Sequence, residues 1–175
     1  MTLKEYKAKR TFTKTKEPKP KKKRSVKSKP IFVVQKHDAR RLHYDFRLEH
    51  RGMLLSWAIP KGPSMNPHDK RLAVHVEDHP LDYATFEGEI PEGEYGAGTV
   101  EIWDNGIFLA RDTTSKKESE QKIAKGLKKG HIAITLLGNH LKGDFDLIHL
   151  KNADKENQWI LVKKKDQYAS TKATI

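Results

Sequence analysis

The residues most able to do chemistry lie in "KHDARRLHYDFRLEH", Lys36 to His50. From His43 onward the stretch alternates. His43, Asp45, Arg47 and Glu49 take odd positions, and Tyr44, Phe46 and Leu48 even ones. A period of two is the signature of a β-strand with one apolar and one polar face. The polar face carries an imidazole and a carboxylate in successive slots, and His37 lies six residues upstream. Two imidazoles and a carboxylate make a three-ligand set with positions left for water and substrate. Such a set, without thiolate, suits Mn²⁺, Fe²⁺ or Zn²⁺ rather than Ca²⁺. An isolated His-x-Asp is more often a surface hydrogen-bonded pair. The third candidate and the adjacent arginine weigh against that here.

Arg47 comes next on the same face. A guanidinium beside metal ligands points to an anionic substrate, because it meets phosphate with two prongs. Its structural alternative is to balance Asp45 or Glu49. A second strand, "RLAVHVEDH" (71–79), alternates in the same way, with Arg71, His75, Glu77 and His79 on one face. Two strands presenting such faces to a common concavity predict a polar pocket inside a β-shell. Lys61, in the proline-flanked "PKGPS", is placed to hold a phosphate. "PEGEYGAGTV" is glycine-rich but lacks the Lys-Ser/Thr of a phosphate-binding P-loop, so its glycines read as tight turns. Together, metal ligands and phosphate clamps fit metal-assisted phosphoester hydrolysis. A histidine near the leaving oxygen would supply its proton.

The elements that position these groups are mostly short strands. "IFVVQKH" (31–37) opens the body, and "HYDFRLEHRGMLLSWAIP" (43–60) reads as a hairpin turning at "EHRG". "GTVEIWDNGIFLA" (98–110) reads as a second hairpin turning at Asp104–Asn105–Gly106. "HIAITLLGNHLKGDFDLIHL" (131–150) reads as a third, and "QWILVKKK" (158–165) as a closing strand. One helix is clear: Ser115 and Glu118 form a capping box, Ile123 and Leu127 share a face, and Gly130 marks the stop. The expected fold is mainly β, a compact antiparallel barrel-like domain with one or two short helices.

The chain has 175 residues and a net charge of +12. Residues 1–29 hold 13 Lys/Arg against Glu5 and Glu17, a net of +11, leaving a nearly neutral body. We therefore expect a largely flexible basic arm (1–30), a catalytic body (31–165) and a short disordered tail (166–175). Basic arms bind polyanions by releasing counterions, and Lys21, Lys22, Lys23 and Arg24 are the densest part of this one. There is no cysteine, which excludes disulfides and thiolate chemistry and fits a reducing cytoplasm. No apolar run is long enough to span a bilayer.

"FVVQKH", "LHYDFRLE", "SWAIPKGPS", "RLAVHVEDHPLDY" and "IPEGEYGAGTV" together resemble the 3′-phosphoesterase module of bacterial and archaeal DNA ligase D, over about residues 31–165. The resemblance implies a barrel-like enzyme that removes a 3′-terminal ribonucleoside and then the 3′-phosphate, leaving a 3′-hydroxyl, with Mn²⁺ preferred. By motif position it implies His37, His43 and Asp45 as metal ligands. It implies Arg47, Lys61, Arg71, Glu77, His79 and Tyr83 as phosphate-contacting or catalytic groups. Tyr83 comes from the resemblance alone. In the arm, "LKEYKAKRTFTKTKEP" also resembles the family, with Arg10 and Glu17 in place and Thr11 where aspartate is common. The chain is too short for ligase and polymerase domains. It is thus expected to act alone on DNA 3′ ends in a prokaryotic cytoplasm, as a monomer beside separately encoded ligase, polymerase and Ku. The competing reading is a non-catalytic module that holds 3′ ends. A small-molecule-binding barrel leaves the basic arm without a purpose.

Overall fold

The computed structural model describes residues 2–21 and 28–175. Its first element is a short helix, α1 (Leu3–Ala8). The strands β1 (Ile31–Asp38), β2 (Leu42–His50), β3 (Met53–Ile59) and β4 (Arg71–Pro80) follow as an antiparallel run. After a single 3₁₀ turn (Leu81–Thr85) come β5 (Gly88–Ile90) and β6 (Gly98–Ala110). Helix α2 (Lys116–Lys129), then β7 (His131–Gly138), β8 (Lys142–His149) and β9 (Gln158–Lys163), complete the chain. The strands run in the order β1-β2-β3-β4-β9-β8-β7-β6, and β1 pairs with β6 to close an eight-stranded barrel. Closure removes the exposed strand edges that an open sheet would have to protect. β5 adds to the free edge of β6 outside the ring.

The barrel is filled from every wall. Phe32, Val34, Tyr44, Phe46, Leu48, Trp57, Phe108, Ile134, Phe145, Trp159 and Leu161 form one buried cluster. α2 lays Ile123 and Leu127 against it, starting at a Ser115 cap that accepts the Glu118 N–H and stopping at left-handed Gly130. The interior is therefore solid, and the polar face of β2 lies on the outside of the barrel. A second, smaller cluster covers that outer wall: Tyr6, Val33, Leu54, Tyr83, Ala84, Phe86, Ile90 and Val100. The polar pocket expected inside the shell is instead an external cleft, roofed by chain from beyond the barrel.

Three other expectations change. Residues 98–110 are one long strand, with a bulge that sets Val34 opposite Asp104 but Gln35 opposite Ile102. Asp104 turns inward past the bulge and accepts the N–H groups of Asn139, His140 and Leu141, capping the β7–β8 turn. Gly106 serves close packing there, since a Cβ would lie 2.1 Å from the Leu137 carbonyl. The arm does not hang free over residues 2–21: Tyr6 is fully buried and Glu17 nearly so. Lys22, Lys23 and Arg24 lie outside the described residues. The tail is pinned, with Asp166 on the buried Lys163 (2.6 Å) and Thr174 Oγ1 accepting the Met65 N–H (2.9 Å). Among the described residues no helix is long and apolar enough to cross a membrane.

Candidate active site

Pairing of β1 with β2 sets His37 opposite His43 and Gln35 opposite Asp45, all on the outer face. The His37 and His43 rings are 4.7 Å apart. His37 Nδ1 and His43 Nε2 each lie 3.3 Å from Asp45 Oδ2. Each ring spends its other nitrogen on the backbone: His37 Nε2–H donates to the Gly96 carbonyl (2.6 Å), and His43 Nδ1–H to that of Arg41 (3.0 Å). Two imidazole lone pairs and a carboxylate oxygen thus converge, within 4.8 Å of one another. Three acceptors facing one point repel unless a cation sits among them, so the donor set fits a divalent transition metal. Burial alone pushes the Asp45 carboxyl up. The neighbouring Arg47 charge, with the bonds that the histidines make to the carboxylate when their facing nitrogens are protonated, outweighs this and holds Asp45 well below the usual carboxylate range. Burial lowers His43, but the Asp45 carboxylate beside its Nε2 favours the protonated ring and raises it overall.

Arg47 is buried and held on three sides. Its Nε donates to Gln35 Oε1 (2.7 Å), its Nη1 to Ser56 Oγ (2.9 Å), and its Nη2 faces Asp45 at 3.5 Å. Gln35 is fully buried and donates to the Tyr83 and Phe86 carbonyls, tying Arg47 to the 3₁₀ turn. The sequence reading missed Gln35. Its signal is a lone amide in the β-branched run "FVVQKH", two residues before His37 on the same face.

The second strand's face splits in two. His75 stacks on Trp57 (4.9 Å) within the barrel, whereas a bulge in β4 sets His79 opposite Leu54 on the outer wall. Glu77 and His79 therefore join the cleft, and His75 does not. His79 Nδ1–H donates to the Glu77 carbonyl (2.9 Å), leaving Nε2 to accept from Arg10 Nη2 (3.3 Å). Burial, then the charges of Arg47 and Arg10, hold the His79 imidazole well below its ordinary value, so it is neutral near pH 7. The bonds that Lys9 and Arg10 make to Glu77 keep its carboxyl low against the burial that raises it.

The arm closes the cleft. Arg10 Nε bonds Glu17 (2.8 Å), and its guanidinium lies 3.9 Å over the Tyr6 ring. Tyr83 donates its hydroxyl to Glu17 (2.7 Å), and burial raises its pKa well above the phenol range. Thr11 is exposed, and its carbonyl takes the Lys14 and Thr15 N–H groups. The resulting cavity, about 280 Å³, is lined by Arg10, His37, His43, Asp45, Arg47, Glu77, His79 and Tyr83, among others. Lys61 and Arg71 are not brought to it. Arg71 bonds the Lys61 carbonyl (3.0 Å) and Asp69 (3.3 Å), and both line a separate cavity of about 190 Å³ under residues 171–175.

One cleft thus gathers a His-His-Asp group that could hold a metal ion, a braced arginine and a neutral histidine. Comparison with known proteins agrees. The family model of the DNA Ligase D 3′-phosphoesterase domain matches residues 35–149. The chain is 51% identical over 165 residues to the multifunctional non-homologous end joining protein LigD of Pseudomonas aeruginosa, covering 94% of this chain and 19% of that protein. It is 44% identical over 165 residues to the multifunctional non-homologous end joining DNA repair protein LigD of Mycobacterium tuberculosis, covering 94% and 20%. The chain spans about a fifth of the length of the curated relatives it matches. On cleft chemistry and sequence alike, it belongs to the DNA ligase D 3′-phosphoesterase domain family.

Proposed function

We propose that this chain is a metal-dependent DNA 3′-end-healing phosphoesterase. On this reading it removes a terminal 3′ ribonucleoside and a 3′-phosphate to leave a hydroxyl that a ligase seals during end joining. The observation that carries the reading is the convergence of His37, His43 and Asp45 on one point beside the buried Arg47. Mn²⁺ is the proposed ion. Held by the triad, it would polarise a phosphoryl oxygen and acidify a bound water. Arg47, pre-oriented by Gln35 and Ser56, takes charge developing on the equatorial oxygens at no reorganisation cost. His79 is neutral in the free protein and accepts from Arg10, so its first task is to aim Arg10 across the cleft. Glu77 balances Lys9 and Arg10. Tyr83 holds Glu17, and with it the arm. We assign Lys61 and Arg71, in their separate cavity, to nucleic-acid contact away from the cleft. The proposed partners are separately encoded ligase, polymerase and Ku in a prokaryotic cytoplasm, with the phosphoesterase itself a monomer.

The test is a primer-template whose primer ends in one ribonucleotide, and a second ending in 3′-phosphate. Each is incubated with Mn²⁺, with EDTA, and with His43→Ala. Conversion of both ends to hydroxyl only with metal and intact His43 is expected. Conversion by the variant or in EDTA refutes the reading, and binding without conversion favours a module that only holds ends. Thr11 stands where the family commonly has aspartate, and its exposed side chain cannot act as a carboxylate. Thr11→Asp is expected to raise ribonucleoside removal relative to phosphate removal. An unchanged ratio counts against a role for this position.

A further inference from the structure

The glycine-rich run "PEGEYGAGTV" presents an aromatic ring that neither buried cluster uses. Tyr95 is 49% exposed, belongs to neither buried cluster, and lies on the lining of the metal cleft. Large aromatic rings normally contribute to cores, so one held half in water beside a reaction centre has another use. Its loop is fixed rather than floppy. The Glu94 N–H donates to the Pro91 carbonyl and the Ala97 N–H to that of Glu94, both at 3.1 Å. Gly96 and Gly98 take positive φ, and a Cβ on Gly98 would lie 2.2 Å from the Asp38 carbonyl, so the loop backbone runs hard against β1. The next residue's carbonyl, Gly96, holds the ligand His37. Tyr95 is thus one residue from the metal's own support. Two cations lie over the ring, Lys9 Nζ at 4.8 Å and Arg10 Cζ at 5.5 Å from its centroid, and the ring surface left exposed is what a base would stack on.

We propose that Tyr95 is a stacking platform for the base of the 3′-terminal nucleotide, seating that nucleotide so its sugar–phosphate enters the cleft. Base–aromatic stacking is tolerant of sequence because every base has a π-face. That suits an enzyme that meets any nucleotide at a broken end, and the two cations suit the strand's phosphates. The platform rests on the 3′-end reading of the cleft, and the experiment separates the two. Tyr95→Ala and Tyr95→Phe are compared on 3′-phosphate strands with a normal terminal base and with a terminal abasic site. Binding is read independently, without metal, from quenching of 2-aminopurine at the terminal position.

Tyr95→Ala should raise KM roughly tenfold on the normal end, leave kcat within a factor of two, lose the quenching, and match the parent on the abasic end. Tyr95→Phe should behave as the parent. Its hydroxyl lies 3.5 Å from Lys9 Nζ, so a Phe variant as impaired as Ala would make Tyr95 a tether for the arm and overturn the platform. Equal losses on normal and abasic ends would overturn it too. If the ends are processed but Tyr95→Ala changes neither KM nor quenching, the platform falls and the activity stands. If the parent quenches 2-aminopurine but processes no end, the activity falls and the platform stands.

Discussion

Replacing Arg10 with alanine should detach the arm without unfolding the barrel. The Glu17 side chain is fully buried, and Arg10, at 2.8 Å, is its counter-charge. Without Arg10, Glu17 keeps the Tyr83 hydroxyl (2.7 Å) and Thr15 hydroxyl (3.0 Å) among the described residues. Stripping one partner from a buried ion pair costs about 3–5 kcal/mol. Against this, the arm's main apolar anchor is Tyr6, whose complete burial contributes about 2–3 kcal/mol. The penalty matches or exceeds the anchor, and the arm has a way out that the barrel lacks: it can leave, returning Glu17 to water. The docking equilibrium should then shift by roughly 100- to 4,000-fold toward the open form, while the barrel's melting temperature stays nearly constant. Amide hydrogen exchange across residues 3–17, with thermal melting alongside, reads both. Exchange should rise over Leu3–Ala8 and Thr15–Glu17, with the protection of β2 and β7 kept. Unchanged arm protection would refute the ion-pair account, and a large fall in melting temperature would refute separability. Arg10→Met with Glu17→Gln removes both charges and should recover most of the docking.

Three further outcomes follow from other contacts. His75 is half-buried against Trp57 and near His149, and its burial with that charge lowers its pKa to about 4. Its folded pKa lies below the unfolded 6.5, so its neutral form stabilises the fold above pH 6.5, and this is lost as pH falls through about 4. Urea unfolding should show a loss of about 2–3 kcal/mol over that window, absent in His75→Phe. Gly96→Ala sets a Cβ 3.2 Å from His37 Cε1 at a φ of +76°, displacing the carbonyl that orients His37. Calorimetry should show Mn²⁺ affinity falling about 10- to 100-fold, as for other outer supports of metal ligands. Asp104→Ala leaves the N–H groups of Asn139, His140 and Leu141 without their acceptor and should cost about 2–4 kcal/mol in urea unfolding, with metal affinity unchanged.

How much of this was legible in the sequence depended on whether each fact was local. The β2 face was legible because alternation is a property of the strand itself, and one pairing with β1 then brings His37 to His43. Helix α2 was legible at both ends because its cap and stop are local chemistry. Bulges were not, since one extra residue shifts the phase of everything beyond it. In β4 that shift sends His75 into the barrel and His79 out of it, though their spacing says they share a face. In β6 the same device turns Asp-Asn-Gly, a hairpin signal by composition, into mid-strand packing. Helix α1 has only six residues among lysines, too short for a periodic pattern, and its Tyr6 gains meaning only from the wall it covers.

The two largest departures, a cleft outside the barrel and an arm packed upon it, share one cause. A strand has two faces, and the one carrying Tyr44, Phe46 and Leu48 fills the barrel. The ligand face of the same strand must therefore look outward. On the proposed function, an outward-facing metal triad would lie open to water, where a phosphoryl oxygen is stabilised less by the same charges. The roof has to come from chain that is not part of the barrel. Tyr6 and Arg10 from the arm, Tyr83 from the 3₁₀ turn and Gly96 from the loop before β6 supply it; Arg10 and Gly96 bond the cleft's His79 and His37, and Tyr83 holds the arm through Glu17. Once the alternation of β2 is assigned with its aromatic side inward, a folded arm is a requirement of the chemistry rather than an accessory to it.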